Sequence, residues 1–363
     1  MATGGDGAPA VKVLYVAGSG RSGSTILDRT LGQVDGFFSA GELCNLWERG
    51  LLARRRCGCG TPVPDCPVWG AVLAEAFGGA DRVDAERLAT ATSRRLRPGS
   101  VPRLLLGRRG RREGDSDGYQ AALSRLYQAV AHQTGCRVIV DSSKSPVYAR
   151  LVAAIPGVEV AVVHQTGCRV IVDSSKSPVY ARLVAAIPGV EVAVVHLVRD
   201  PRATAFSFLR NKRLPDFGDD RLMQRQHPLV SARRWSLWQA ATELLWRRQG
   251  RRYLRLRYED FVYDPQPAIW RITALVGETP AALPFSGPAT VRMTTTHSVS
   301  GNPNRFGTGE VELRADEEWR RAMRTVDRGL VTALTWPLLL RYRYPLCAPR
   351  GGGPMEDRAR DEE

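Results

Sequence analysis

Residues 13–32 read VLYVAGSGRSGSTILDRTLG, and the reading of this stretch decides the fold. It continues an apolar run that begins at Val11. A short run of that kind, closing on glycines, has the pattern of a buried parallel strand. Gly18, Gly20 and Gly23 then punctuate a loop, and a helix is expected from Thr25 to Gly32. A strand, a glycine loop and a helix in that order turn backbone N–H groups and a positive helix end toward one point, which makes an anion cradle. In the frame G-x4-G-K-[ST] the segment supplies Gly18, Gly23, Ser24 and Thr25, with Ser24 where the lysine belongs. A cation, Arg21, stands three positions earlier. Nucleoside triphosphate hydrolysis depends on that lysine and on bound magnesium. The residues therefore keep the phosphate site while weakening the case for an ATPase, GTPase or kinase, which stays as one alternative beside a non-catalytic nucleotide-binding protein.

Working outward, strands and helices alternate. Phe37 begins FFSAGEL, a short strand running into a helix, and helical patterns cover roughly 68–77, 85–96 and 119–131. VEVAVVHLV, ending at Val198, is a second buried strand, after which Asp200 and Pro201 suit the N-cap and first position of a helix. A Trp-rich helix is expected over 229–248, a strand within RRYLRLRYED, and a helix over 267–276. The alternation implies an α/β fold with a parallel sheet. One domain is expected over 11–346, with residues 1–10 and the glycine-rich, charged residues 347–363 disordered.

One block interrupts this order. His132 to Val163 recurs without a change as His164 to Val195, so that VIVDSSKSPVY is present twice. A solenoid needs about three such units, and nothing else in the chain has this period. Each copy reads strand, helix, strand, and only HQTGC separates the end of one from the start of the next. A link of that length joins antiparallel neighbours, whereas parallel strands need a crossover of about a dozen residues. The second copy is expected in the sheet, with part of the first displaced onto the surface.

The composition narrows the classes. The chain of 363 residues is 43% hydrophobic, as ordinary globular proteins are. It has no apolar run of transmembrane length and no signal-peptide pattern at its start, so no membrane insertion and a cytoplasmic location are expected. Its net charge of +15 sets 48 Arg and 4 Lys against 37 acidic residues, and the excess of Arg over Lys is a bias typical of GC-rich bacterial genomes. The charge fits either a solvated surface or a field that gathers an anionic ligand. Nucleic acid is not an expected partner: the densest cluster, GRRGRR from Gly107, holds no aromatic residue and reads as a loop. Seven cysteines do not make a disulfide framework at this length. Cys57, Cys59 and Cys66, with Cys44 upstream, leave three readings open: a structural metal, a redox or disulfide role, or a tight loop with inert thiols.

A second anion site follows the strand that ends at Val198. Arg199 stands at its carboxyl edge, where open α/β sheets bind ligands, and Ser207 lies two turns along the next helix. Two separate anion sites suggest a nucleotide with phosphates at two positions. Here the sequence resembles the sulfotransferases that use 3′-phosphoadenosine 5′-phosphosulfate, in pieces over Val11 to Leu334. GSGRSGST is similar to the family's 5′-phosphosulfate loop, and RDPRATAFS to its 3′-phosphate motif, with Arg199 and Ser207 eight positions apart. RLRYEDFVYDP and GNPNRFGTGEVEL, followed by DEEW, resemble bacterial members.

The resemblance implies a three-layer, P-loop-like fold with a central parallel sheet flanked by helices. It implies that Gly20, Arg21, Ser22, Gly23, Ser24 and Thr25 hold the 5′-phosphosulfate, that Arg199 and Ser207 hold the 3′-phosphate, and that Arg305 closes over it. It makes Glu42 of SAGEL the general base, and Lys176 of DSSK, with Lys144 as its twin, the group that stabilises the departing sulfate. The implied reaction is sulfuryl transfer to a hydroxyl of a small molecule, glycan or lipid, with no metal required. His227 and His297 are alternative bases, each read more simply as a loop histidine.

Overall fold

A computed structural model describes residues 11–17, 19–95, 118–136, 138–141, 170–173, 190–211, 225–247 and 253–347. Among the described residues six strands form the main sheet: β1 (Val11–Ala17), β2 (Phe37–Gly41), β3 (Val138–Asp141), β4 (Val170–Asp173), β5 (Val190–Val198) and β6 (Tyr253–Arg257). Their order is β2-β3-β4-β1-β5-β6, and every pairing is parallel. The parallel α/β sheet expected from the alternation is what these residues form.

The sheet is covered on both faces, and the two-residue period of its strands shows how. Leu14, Val16, Val195 and Leu197 pack against Leu27 and Leu31 of helix α1 (Ser24–Leu31). Phe261, Ile269 and Ile272, from two helices that follow β6, join the same cluster. His196 and Val198 alternate with Leu197 and so face the other way. There Val198 packs with Trp235 and Leu339, from the long helices Pro228–Trp246 and Thr325–Arg341. His196 is held between Gln239 and the Tyr253 hydroxyl, and burial pushes its pKa down to about 4.

The remaining helices among the described residues are, in chain order, α2 (Pro67–Phe77), α3 (Ala85–Arg95), α4 (Tyr119–Thr134), α5 (Pro201–Leu209), α6 (Pro228–Trp246), α7 (Tyr258–Tyr263), α8 (Pro265–Leu275), α9 (Trp319–Ala322) and α10 (Thr325–Arg341). A separate apolar cluster joins a π-helical segment, Leu46–Leu52, to α2, α3 and α4 through Trp47, Trp69, Leu73, Leu88 and Leu126. Ala40 of β2 and Val299 tie that cluster to the sheet edge. An antiparallel pair, β7 (Thr290–Met293) and β8 (Gly309–Glu312), and α10 were not anticipated. No helix among the described residues is long and apolar enough to cross a membrane.

β3 and β4 are the two copies of VIVD. They pair in register from Val138 with Val170 to Asp141 with Asp173, while β3 also pairs β2 and β4 also pairs β1. The first copy's VIVD strand lies inside the sheet beside that of the second, and the remainder of the first copy, on which the expected displacement bears, lies outside the described residues. HQTGC is only part of the connection between the strands that pair, which spans residues 142–169. That segment is longer than the dozen or so residues a parallel crossover needs. The rest of the two copies, residues 142–169 and 174–189, lies outside the described residues, as do GRRGRR, residues 1–10 and residues 348–363.

Candidate active site

Ala17 of β1 pairs with His196 of β5, so the glycine loop and Arg199 leave the sheet side by side at its carboxyl edge. The chain order reverses about β1, and such a switch point opens a crevice for ligands. Arg199 closes that crevice directly: its Nη1 donates to the carbonyl oxygen of Arg21 at 3.1 Å. The two motifs read separately from the sequence therefore meet.

The loop has the backbone of an anion cradle. Arg21 has φ +66° and Gly23 has φ +86°, both left-handed, and Gly23 occupies the N-cap of α1. At the start of a helix N–H groups outnumber their acceptors; the Ile26 and Leu27 N–H groups donate to the Gly23 carbonyl, so the donors turned toward a ligand are those of Ser24 and Thr25. The Ser22 hydroxyl is buried without a hydrogen-bond partner. An orphaned hydroxyl of this kind costs about 1–3 kcal/mol unless a ligand pairs with it. The donor set thus fits a phosphate or sulfate group.

Two aromatic rings clamp the loop. A Cβ on Gly20 would meet the Phe208 ring at 3.1 Å, and one on Gly23 would meet Tyr258 at 2.3 Å. The same rings carry the cations: the Arg21 guanidinium lies 5.3 Å from the Phe208 centroid, and that of Arg199 4.7 Å from the Tyr258 centroid. Burial, then the charges of Arg210 and Arg199, lower the Arg21 pKa. Three guanidinium groups thus crowd one spot, which an anionic ligand would relieve. Asp316 supplies part of that compensation, pairing with Arg199 at 3.5 Å and closely with Arg210, which also meets Glu318. Ser207 is buried on α5 beside Phe208, and Asp200 caps that helix by accepting from the Arg202 N–H at 2.8 Å, as expected. Phe208, Arg210, Tyr258 and Asp316 were missed. Tyr258 and Asp316 carried a signal, their places in the YED and DEEW motifs.

Glu42 follows the carboxyl end of β2, 2% exposed, with Asn45 Nδ2 donating to its Oε2 at 2.7 Å and Arg49 at 3.9 Å. Its N–H donates to Val299 O at 2.7 Å. Two residues on, Gly301 approaches Thr25 of the cradle: a Cβ there would sit 3.9 Å from Thr25 Cγ2. Since two residues span at most about 7 Å, this stretch connects Glu42 to the anion site. The loop that follows is fastened to α1, where Arg29 Nη1 donates to Asn304 O at 2.7 Å and Nη2 donates to Gly307 O.

The other expected residues lie differently. Arg305 is 1% exposed, its Nη1 donating to Ser298 O at 3.1 Å and Nη2 to Arg56 O at 2.6 Å, so it braces two loops. Lys176 and Lys144 lie outside the described residues, as does Gly18. His227 caps α6, accepting from the Leu229 N–H. His297 is no simple loop histidine: its Nδ1 lies 3.2 Å from Cys66 Sγ and 4.0 Å from Cys57 Sγ.

No curated protein matches the chain. The sulfotransferase domain of the Synechococcus PCC 7002 olefin synthase is 19% identical, covering 94% of this chain and 98% of that one, with a TM-score of 0.48. The sulfotransferase domain from the curacin biosynthetic pathway is 16% identical, covering 93% of this chain and 100% of that one, with a TM-score of 0.47. A family model described as "Sulfotransferase family" matches residues 14–280, well over half of the sequence. The chain belongs to the sulfotransferase family.

Proposed function

We propose that the protein moves a sulfuryl group from 3′-phosphoadenosine 5′-phosphosulfate to a hydroxyl of a small molecule, glycan or lipid. The observation that carries this reading is the bond from Arg199 to the Arg21 carbonyl, which joins a 5′-side cradle to a second cation on the next strand. Gly20 to Thr25 hold the 5′-phosphosulfate through first-turn N–H groups and the Ser22 hydroxyl. Arg199 and Ser207 hold the 3′-phosphate. Arg305 contributes as a brace between Ser298 and Arg56 rather than as the closing cation.

The bound donor supplies the sulfuryl group. The chain's own residues orient it, screen its charge and manage one proton, the same demands that positioning and charge stabilisation meet in phosphoryl transfer. Glu42 takes the acceptor's proton as general base, its carboxylate fixed by Asn45. Arg21 stabilises charge on the transferred group, and Lys176, or its twin Lys144, the oxygen that departs. In this reading the layout is a three-layer, P-loop-like fold in one domain over 11–346, in a bacterial cytoplasmic protein.

The test is transfer itself. The full chain is incubated with donor labelled in the sulfuryl group and a panel of hydroxyl compounds, with magnesium chelated. Labelled ester should form with wild type and fall at least about a hundredfold in Glu42→Gln, while nucleotide affinity stays within about twofold. Equal loss of affinity would make Glu42 structural and remove it as the base.

A further inference from the structure

The cysteine loop, which the reaction does not use, contains a second site. Cys57, Cys59 and Cys66 lie between the π-helical segment and α2, and His297 reaches them from a loop 231 residues beyond Cys66. One ligand atom from each of the four lies within 4.8 Å of the others. Cys66 Sγ is 3.2 Å from His297 Nδ1 and 3.6 Å from Cys59 Sγ, and Cys57 Sγ is 4.0 Å from the same nitrogen. A tetrahedral zinc ion, about 2.3 Å from sulfur and about 2.0 Å from nitrogen, spaces its ligand atoms about 3.5–3.8 Å apart. The three thiols are free of disulfides.

The surrounding backbone is built for this approach. The Cys57 N–H donates to Thr61 O at 2.7 Å and the Gly60 N–H to Cys57 O at 2.9 Å, a turn completed by Gly60 at φ +93°. That turn returns Cys59 toward Cys57. Gly58 lies against the histidine loop so closely that a Cβ would sit 2.4 Å from Thr296 O, and its N–H donates to Ser298 O at 3.0 Å. The His297 carbonyl accepts from Trp69 Nε1 at 2.6 Å. Cys66 occupies the N-cap of α2, where the helix end favours a thiolate.

We propose that Cys57, Cys59, Cys66 and His297 bind one structural zinc ion. Four protein ligands fill the tetrahedron and leave no open position, so the ion serves structure and not catalysis. Soft thiolates with an imidazole select zinc over magnesium or calcium. The clamp has a definite load: one residue after His297, Ser298 accepts from Gly58 and Arg305, and Val299 then accepts the Glu42 N–H. The ion fixes the strap that connects Glu42 to the anion cradle.

The full chain, purified under reducing conditions and dialysed without chelator, is analysed for metals by mass spectrometry. One zinc per chain is expected, falling at least tenfold in Cys66→Ser and unchanged in Cys347→Ser, which alters an exposed cysteine elsewhere. His297→Cys should keep the ion, and chelator-stripped chain loaded with cobalt(II) should show the strong visible bands of a tetrahedral thiolate site. Wild-type chain that neither carries zinc nor takes up added zinc chloride or cobalt overturns the proposal. So does full zinc content in Cys66→Ser, or a thiol count two short in denatured wild type, which would mean a disulfide. Should Cys66→Ser fail to fold, wild-type stoichiometry and His297→Cys decide the matter.

Discussion

Gly23→Ala tests the architecture of the cradle most sharply. An alanine Cβ at that position would lie 2.3 Å from Tyr258 Cδ2 and 2.4 Å from Cε2, so the ring must retreat by about 1 Å to reach ordinary contact. Overpacking of that kind costs about 1–3 kcal/mol. The left-handed backbone, φ +86°, adds about 1–2 kcal/mol for any residue with a Cβ. The two terms separate in a double-mutant cycle with Tyr258→Ala. In wild type Gly23→Ala should cost about 2–5 kcal/mol, but with the ring removed only the backbone term of about 1–2 kcal/mol. Guanidinium unfolding followed by tryptophan fluorescence measures each free energy, with the slope checked for constancy. A coupling of about 1–3 kcal/mol is expected; additivity within about 0.5 kcal/mol would refute the packing of Tyr258 on the loop.

Two other outcomes follow from the sheet. Deleting 132–163 and deleting 164–195 produce one and the same polypeptide, so a single variant tests the duplication. It should fold with one VIVD strand between β2 and β1 and keep or gain activity, because one copy still supplies that strand and one DSSK lysine; loss of folding would show that both copies are required. His196 gives a pH signature. Its folded pKa near 4 lies below the ordinary 6.5, so the unfolded chain takes up a proton first as the pH falls. Stability is therefore lost between about pH 6.5 and 4, by about 3 kcal/mol in total. Relative to His196→Gln, wild type should lose stability over that window, and parallel curves would exclude the effect.

How much of this was legible in the sequence depended on locality. β1, the glycine loop and α1 are contiguous, so strand pattern, glycine punctuation and helix start reinforced one another. Arg199 was placed by the same local logic, a strand end followed by Asp200 and Pro201. What sequence alone could not show was pairing at a distance. Tyr258 packs on Gly23, and His297 completes the thiol group only because the loop after β7 returns to the sheet edge. His297, read on its own as a loop histidine, gave no sign in the sequence that it would reach the three thiols 231 residues after Cys66. The repeat was legible only in part: its two VIVD strands pair directly with each other, and residues 142–169 between them are long enough for a parallel crossover.

The central claim is that the loop and Arg199 together read a nucleotide carrying phosphates at two positions. Calorimetric titration of the full chain with adenosine 3′,5′-bisphosphate, set against ATP with magnesium, tests it most directly. The bisphosphate should bind with a dissociation constant of about a micromolar, and ATP far more weakly. Arg199→Ala, which removes a charged hydrogen-bonding group worth about 1.5–3 kcal/mol, should weaken the bisphosphate about ten- to hundredfold. Tight ATP binding with no bisphosphate binding, or a bisphosphate affinity indifferent to Arg199→Ala, would contradict the account.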